Sequence, residues 1–119
     1  MSESIRTLTA HKVNDINNQL NIEVVDKPGH GGACHTYFIS SRDTGIVWPI
    51  SFQDGPIANG LTHEALLAIL IDRMEGFQSG PYPHENNAVA LVLLRTALDL
   101  LHSRTKERIK RGVEGTHQP

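Results

Sequence analysis

The chain has 119 residues, of which 39% are hydrophobic and 20% charged, with a formal net charge of -2. That length supports one modest core, and the composition lies far from the disordered class. The near-neutral charge excludes any global attraction to nucleic acid or an anionic membrane, so anion binding must come from local patches. The single Cys34 excludes an internal disulfide and fits a reducing cytosol. No apolar leader opens the chain. The apolar runs are too short to span a bilayer and are broken by Arg95 and Asp99. A soluble, cytoplasmic protein is expected.

Residues 1–18 are polar, with isolated Leu8, Val13 and Ile16, and predict a mobile start with at most a short helical turn. Leu20, Ile22 and Val24 then alternate with Asn21 and Glu23, the period of a half-buried strand. A glycine-rich loop, Pro28 to Ala33, joins it to a second strand from Cys34 to Ser40, so the two read as a hairpin. A third strand spans Ile46 to Phe52, and Pro49 places it at an edge or bulge. Gln53 to Gly60 is a loop.

Two apolar helical runs follow between Thr62 and Arg111, with a break predicted at Gly76-Phe77-Gln78-Ser79-Gly80-Pro81. Thr62 is suited to cap the first, and Ala65 to Ile71 is apolar all round, which predicts burial on more than one side. The second run starts near Pro83-His84-Glu85 and stops at Gly112. Leu91, Leu94, Leu98 and Leu101 form a seam at alternating spacings of three and four, widened by Val89, Val92, Leu93, Ala97 and Leu100. A lone hairpin cannot cover that surface, so the pattern predicts a second copy and a four-helix core. The expected fold is α+β: one domain over residues 1–119, with a small antiparallel β unit (about 18–56) and a long helical hairpin (about 62–111) packing in a homo-oligomer.

The candidate sites each carry two readings. Gly29-His30-Gly31-Gly32-Ala33 either cradles a phosphate with consecutive amides or is a plain hairpin loop. Phe77 and Tyr82 flank the helix junction beside Asn86 and Asn87. That set either stacks a base, reads its edge and holds a phosphate, or supplies a core plug and helix caps. Arg104 and Arg108, four apart in a basic helix end, either grip phosphates together or complement the helix dipole. Asp72 and Glu75 flank Arg73 and read as salt-bridged surface. The seven histidines lack paired ligand spacing, so no metal is expected, and no catalytic constellation stands out.

The motifs Pro28-Gly29-His30-Gly31-Gly32-Ala33-Cys34-His35, Ile50-Ser51-Phe52-Gln53-Asp54-Gly55-Pro56-Ile57 and Glu64-Ala65-Leu66-Leu67-Ala68-Ile69 resemble the phage Thoeris anti-defence proteins of the first-described type. Gly76 to Pro81 and Arg108 to Thr116 extend the resemblance to about residues 11–117, and the helical half is similar to the hairpin shared with anti-CBASS sponges. The resemblance implies a non-enzymatic, cofactor-free sponge that sequesters glycocyclic ADP-ribose intact in the cytoplasm of the infected host. It also implies dimers assembling into a hexamer, binding of CBASS cyclic di- or trinucleotides at a second site, and no DNA, RNA or membrane partner. By motif position, Phe77 and Asn87 resemble members of the cyclic ADP-ribose pocket, and Arg104 with Arg108 the additional site. Gly29, Gly31, Gly32 and Ala33 would cradle the pyrophosphate. Where many relatives carry Phe-Ala-Cys-Arg-Glu-Asn this chain has Tyr82-Pro83-His84-Glu85-Asn86-Asn87, so the pocket carboxamide falls on Asn87 or, in the other register, on Asn86. The rival readings are an enzyme that hydrolyses the messenger and a helical interaction module that touches no nucleotide.

Overall fold

The computed structural model describes residues 5–116. Four strands form one antiparallel sheet in chain order: β1 (Arg6–Leu8), β2 (Leu20–Val24), β3 (Thr36–Ser41) and β4 (Val47–Ser51). A short helix α1 (Asp15–Asn18) precedes β2, and a 3₁₀ turn (His30–Gly32) lies between β2 and β3. The long helices are α2 (His63–Ser79) and α3 (Glu85–Arg111). The α+β class is thus as the sequence predicts. The chain divides after Gly60 into two compact units, a sheet unit and a helical hairpin.

Register makes the sheet two-faced. Leu8 pairs with Ile22, Ile22 with Ile39 and Ile39 with Trp48, an apolar row across all four strands. Val24, Tyr37 and Ile50 form the next row on the same face, because residues two apart share a face. Val24 is fully buried at its centre. Pro49 sits on the edge strand opposite Phe38. Hydrogen bonds join Ser41 N to Ile46 O and Phe52 N to His35 O, so the bonded pairs on β4 are the even-numbered residues. Pro49 therefore has its missing N–H on the open side, where no ladder bond is lost.

β1 is the strand that the sequence does not announce. The Arg-Thr-Leu segment is too short to show a period, and it pairs because Ile5 N reaches Val24 O at 2.8 Å and Leu8 lands opposite Ile22. Of the predicted mobile start, residues 1–4 lie outside the described residues. The rest is ordered by β1, α1 and a hydrogen bond between His11 Nε2 and Leu20 O (2.7 Å).

Both helix starts are capped by side chains. Thr62 accepts from Ala65 N at 3.1 Å, as its position predicts. At α3 the cap is His84, whose Nδ1 accepts from Asn86 N at 3.0 Å. α3 ends at Gly112 in the left-handed conformation (φ 74°). Of the break predicted over Gly76 to Pro81, the first four residues are helical: α2 runs on through Gly76 to Ser79. One helical glycine costs only about 1 kcal/mol, and the turn is set by Gly80 and Pro81 instead. Gln78 then closes the hairpin loop by accepting from His84 N (3.0 Å) and donating to His84 O (3.1 Å).

α2 and α3 pack along their length, with Ile71 and Leu91 buried and Leu94, Leu98 and Leu101 half-buried in the seam. α2 is not buried on several sides. Ile69 and Leu70 stand exposed, as do Val89, Val92, Leu93 and Leu100 on α3, because one partner helix shields only one side. No helix among the described residues is long and apolar enough to cross a membrane.

Candidate functional site

The hairpin carries an open cleft of ≈ 720 Å³ at the end of α2, lined by Ile69, Asp72, Arg73, Gly76, Phe77, Gly80, Pro81 and Tyr82. Its origin is local. Positions 69, 72, 73, 76 and 77 recur at three and four, so they share one helix face, and Gly76 and Gly80 leave that face without side-chain bulk. Phe77 is 48% exposed and Tyr82 81% exposed, so neither aromatic is a core plug. The guanidinium carbon of Arg73 sits 5.1 Å from the Phe77 ring centroid, a cation–π contact.

Glu75 is salt-bridged at the surface, as the sequence predicts, but its partner is not the neighbouring Arg73. Glu75 turns to Arg95 of α3, with Nη2 to Oε1 at 3.3 Å, and Arg73 makes no ion pair among the described residues. Sequence inspection missed Arg73 because Asp72 and Glu75 suggest local neutralisation. The signal that could have found it is the four-residue spacing from Arg73 to Phe77.

Asn86 and Asn87 lie in the first turn of α3 and are not among the cleft-lining residues. The backbone N–H of Asn86 is not open to a ligand, since it donates to the His84 cap. Asn87 is half-buried.

The glycine-rich loop belongs to the sheet unit. Gly31 and Gly32 both adopt positive φ (79° and 87°), which a side chain would strain. Two of its amides are turned inward: Gly29 N donates to Ala33 O (2.9 Å) and Gly32 N to Gly29 O (3.0 Å). The loop is anchored by Asp26, whose carboxylate accepts from His35 N (2.8 Å) and Thr36 N (3.1 Å). Desolvation is the largest influence on that carboxyl and pushes its pKa up. The backbone donors and the nearby His35 together outweigh it, and the net direction is below the ordinary value.

Arg104 and Arg108 lie about 25 and about 32 Å along α3 from Asn87 at about 1.5 Å per residue. Arg104 is exposed, but Arg108 is only 5% exposed. Its Nη2 donates to Val113 O (2.8 Å) and Thr116 O (3.2 Å), and its Nε pairs with Glu114 (3.3 Å). Arg108 thus ties the chain's return after Gly112 to the helix, and the two guanidiniums do not form one open pair. No group of three or more metal-ligating side chains occurs among the described residues.

No protein-family model matches the sequence. The chain is similar to the protein named Thoeris anti-defense 1 of Bacillus phage SBSphiJ7, with 44% identity over 95 residues that cover 76% of this chain and 66% of that protein. It spans just under two thirds of that relative's length. At this identity and coverage, the motif resemblance and the comparison agree, and the chain belongs to the Thoeris anti-defence 1 family of phage proteins.

Proposed function

We propose that the protein counters Thoeris defence by binding glycocyclic ADP-ribose in the hairpin cleft and withholding it, uncleaved, in the cytoplasm of the infected host. The carrying observation is the cleft that holds Phe77, Arg73 and Tyr82 together. An adenine needs an aromatic face and a pyrophosphate needs cations or N–H donors, and this surface supplies both kinds of group. The name of the relative supports the biological setting. Sequestration requires binding energy but no group that acts only in a transition state. Asn87, or Asn86 in the other register, would hydrogen-bond the ligand.

A second site for cyclic di- or trinucleotides at Arg104 and Arg108 would require Arg108 to exchange Glu114 for a phosphate. Association with a second copy is supported by the exposed Val89, Val92, Leu93 and Leu100, which a second hairpin would bury, and dimers so formed would assemble further into a hexamer.

Calorimetric titration with glycocyclic ADP-ribose, followed by heating the complex and analysing the released compound, tests the reading. Tight binding with the ligand recovered intact is expected. A cleaved product would make the protein a hydrolase, and no binding heat would make the hairpin an interaction module. Phe77→Ala should weaken binding about ten- to hundredfold, the usual loss on removing an aromatic under a base, with little change in melting temperature because the ring is half-exposed.

A further inference from the structure

We infer that Arg73 is the phosphate-contacting cation of the Phe77 cleft. The inference rests on the cleft being the nucleotide site proposed above, and it assigns a role to a residue that no motif singles out.

Three observations converge on Arg73. It lies one helical turn before Phe77, on the same face, and its guanidinium carbon lies over the ring, 5.1 Å from the centroid. Glu75, the acid two residues on, is engaged by Arg95, and Arg73 makes no ion pair among the described residues. It is also the one cationic side chain in the cleft lining, which otherwise holds the carboxylate of Asp72. Without Arg73, a pyrophosphate entering this cleft would meet an acid and no counter-charge.

The chemistry follows from the shape of the group. A guanidinium lying on a ring keeps its N–H donors at its edge, directed away from the ring. That edge matches two oxygens of a phosphate, while the ring holds the side chain in place and limits the freedom lost on binding. Tyr82, 81% exposed in the same lining, is a second surface on which a base can stack. Arg73 therefore does two things: it packs against Phe77, and it offsets the charge of Asp72 within the cleft. An ammonium at the same position has neither the flat face nor the fork.

The test uses the full chain and glycocyclic ADP-ribose, titrated over a series of salt concentrations. Arg73→Ala should weaken binding about ten- to hundredfold and flatten the salt dependence, with an unchanged melting temperature because the side chain is exposed. Arg73→Lys should restore only part of the loss. A double-mutant cycle with Phe77→Leu separates contact from propping: the Arg73→Ala loss should persist in the Phe77→Leu background. Disappearance of that loss, or equal binding and salt response in Arg73→Ala and wild type, would overturn the assignment alone. Failure of the wild-type chain to bind would overturn the proposed function along with it.

Discussion

In the sheet unit the polar side chains of the loops bond one another and the backbone, whereas in the hairpin the aromatic and basic groups of one face are left facing solvent. Gln53 donates to Gly55 O (2.9 Å) and Ile57 O (2.7 Å) and accepts from Asn59 N (3.0 Å). Asn59 answers by accepting from Asp54 N (2.9 Å) and donating to Asp54 O (2.7 Å). Ser41 and Gln19 do the same beneath the Asp43 turn. At the end of α2, by contrast, Phe77 and Tyr82 are exposed, and Arg73 lies over the Phe77 ring with no ion pair among the described residues. A group already hydrogen-bonded within its loop must break that bond to take a ligand, and an unbonded one need not. The difference argues that the sheet unit is built for rigidity and the hairpin cleft for recognition.

The sharpest way to break the sheet side of this contrast is Gly60→Ala. A Cβ there would stand 2.5 Å from the Phe52 carbonyl carbon and 2.7 Å from Gln53 N, both backbone atoms that cannot swing aside. A loss of about 3 kcal/mol is expected by chemical denaturation, from forced backbone displacement. The single Trp48, on β4, provides a fluorescence signal local to the sheet.

On the hairpin side, Arg108→Ala should cost about 2 kcal/mol, because the carbonyls of Val113 and Thr116 lose a charged donor and Glu114 its partner. Far-UV circular dichroism would follow the helix end. Arg108→Lys should recover little of the loss, since one ammonium cannot reproduce the three directed contacts. Recovery by lysine would mean that charge alone matters at this position.

A smaller effect should follow from Asp26→Asn, about 1 kcal/mol at neutral pH, since Oδ2 accepts from His35 N and Oδ1 from Thr36 N, and asparagine keeps only one acceptor oxygen and turns an NH2 toward the other donor. The folded-state pKa of Asp26 is lowered, so its contribution is fully present above the unfolded carboxyl value. It is lost as the pH falls through the lower, folded value. Between neutral pH and that acid range, the variant's stability should fall less than that of wild type, and parallel curves would remove Asp26 from the account.

Much of the architecture was legible from the residues alone. Thr62, Gly112, the Leu91 to Leu101 seam, the alternation from Leu20 to Val24 and the edge position of Pro49 all reflect preferences that act within a few residues. A cap, a stop, a helix face and a missing N–H are local properties, and local sequence determines them. Phe77 and Tyr82 were likewise recognisable as the aromatic pair of the junction.

Tertiary structure decided the rest. β1 exists because β2 offers Val24 and Ile22 as partners, although Arg6 to Leu8 carry no strand pattern of their own. Arg73 is the nearest cation to Glu75 in sequence, but two residues apart on α2 they do not face each other, and Glu75 pairs with Arg95 of α3. Arg104 and Arg108 look equivalent at four-residue spacing, yet the return after Gly112 brings Val113, Glu114 and Thr116 to only one of them. In each case several partners were chemically equal in the sequence. The choice fell to whichever one the folded chain carried within hydrogen-bonding distance.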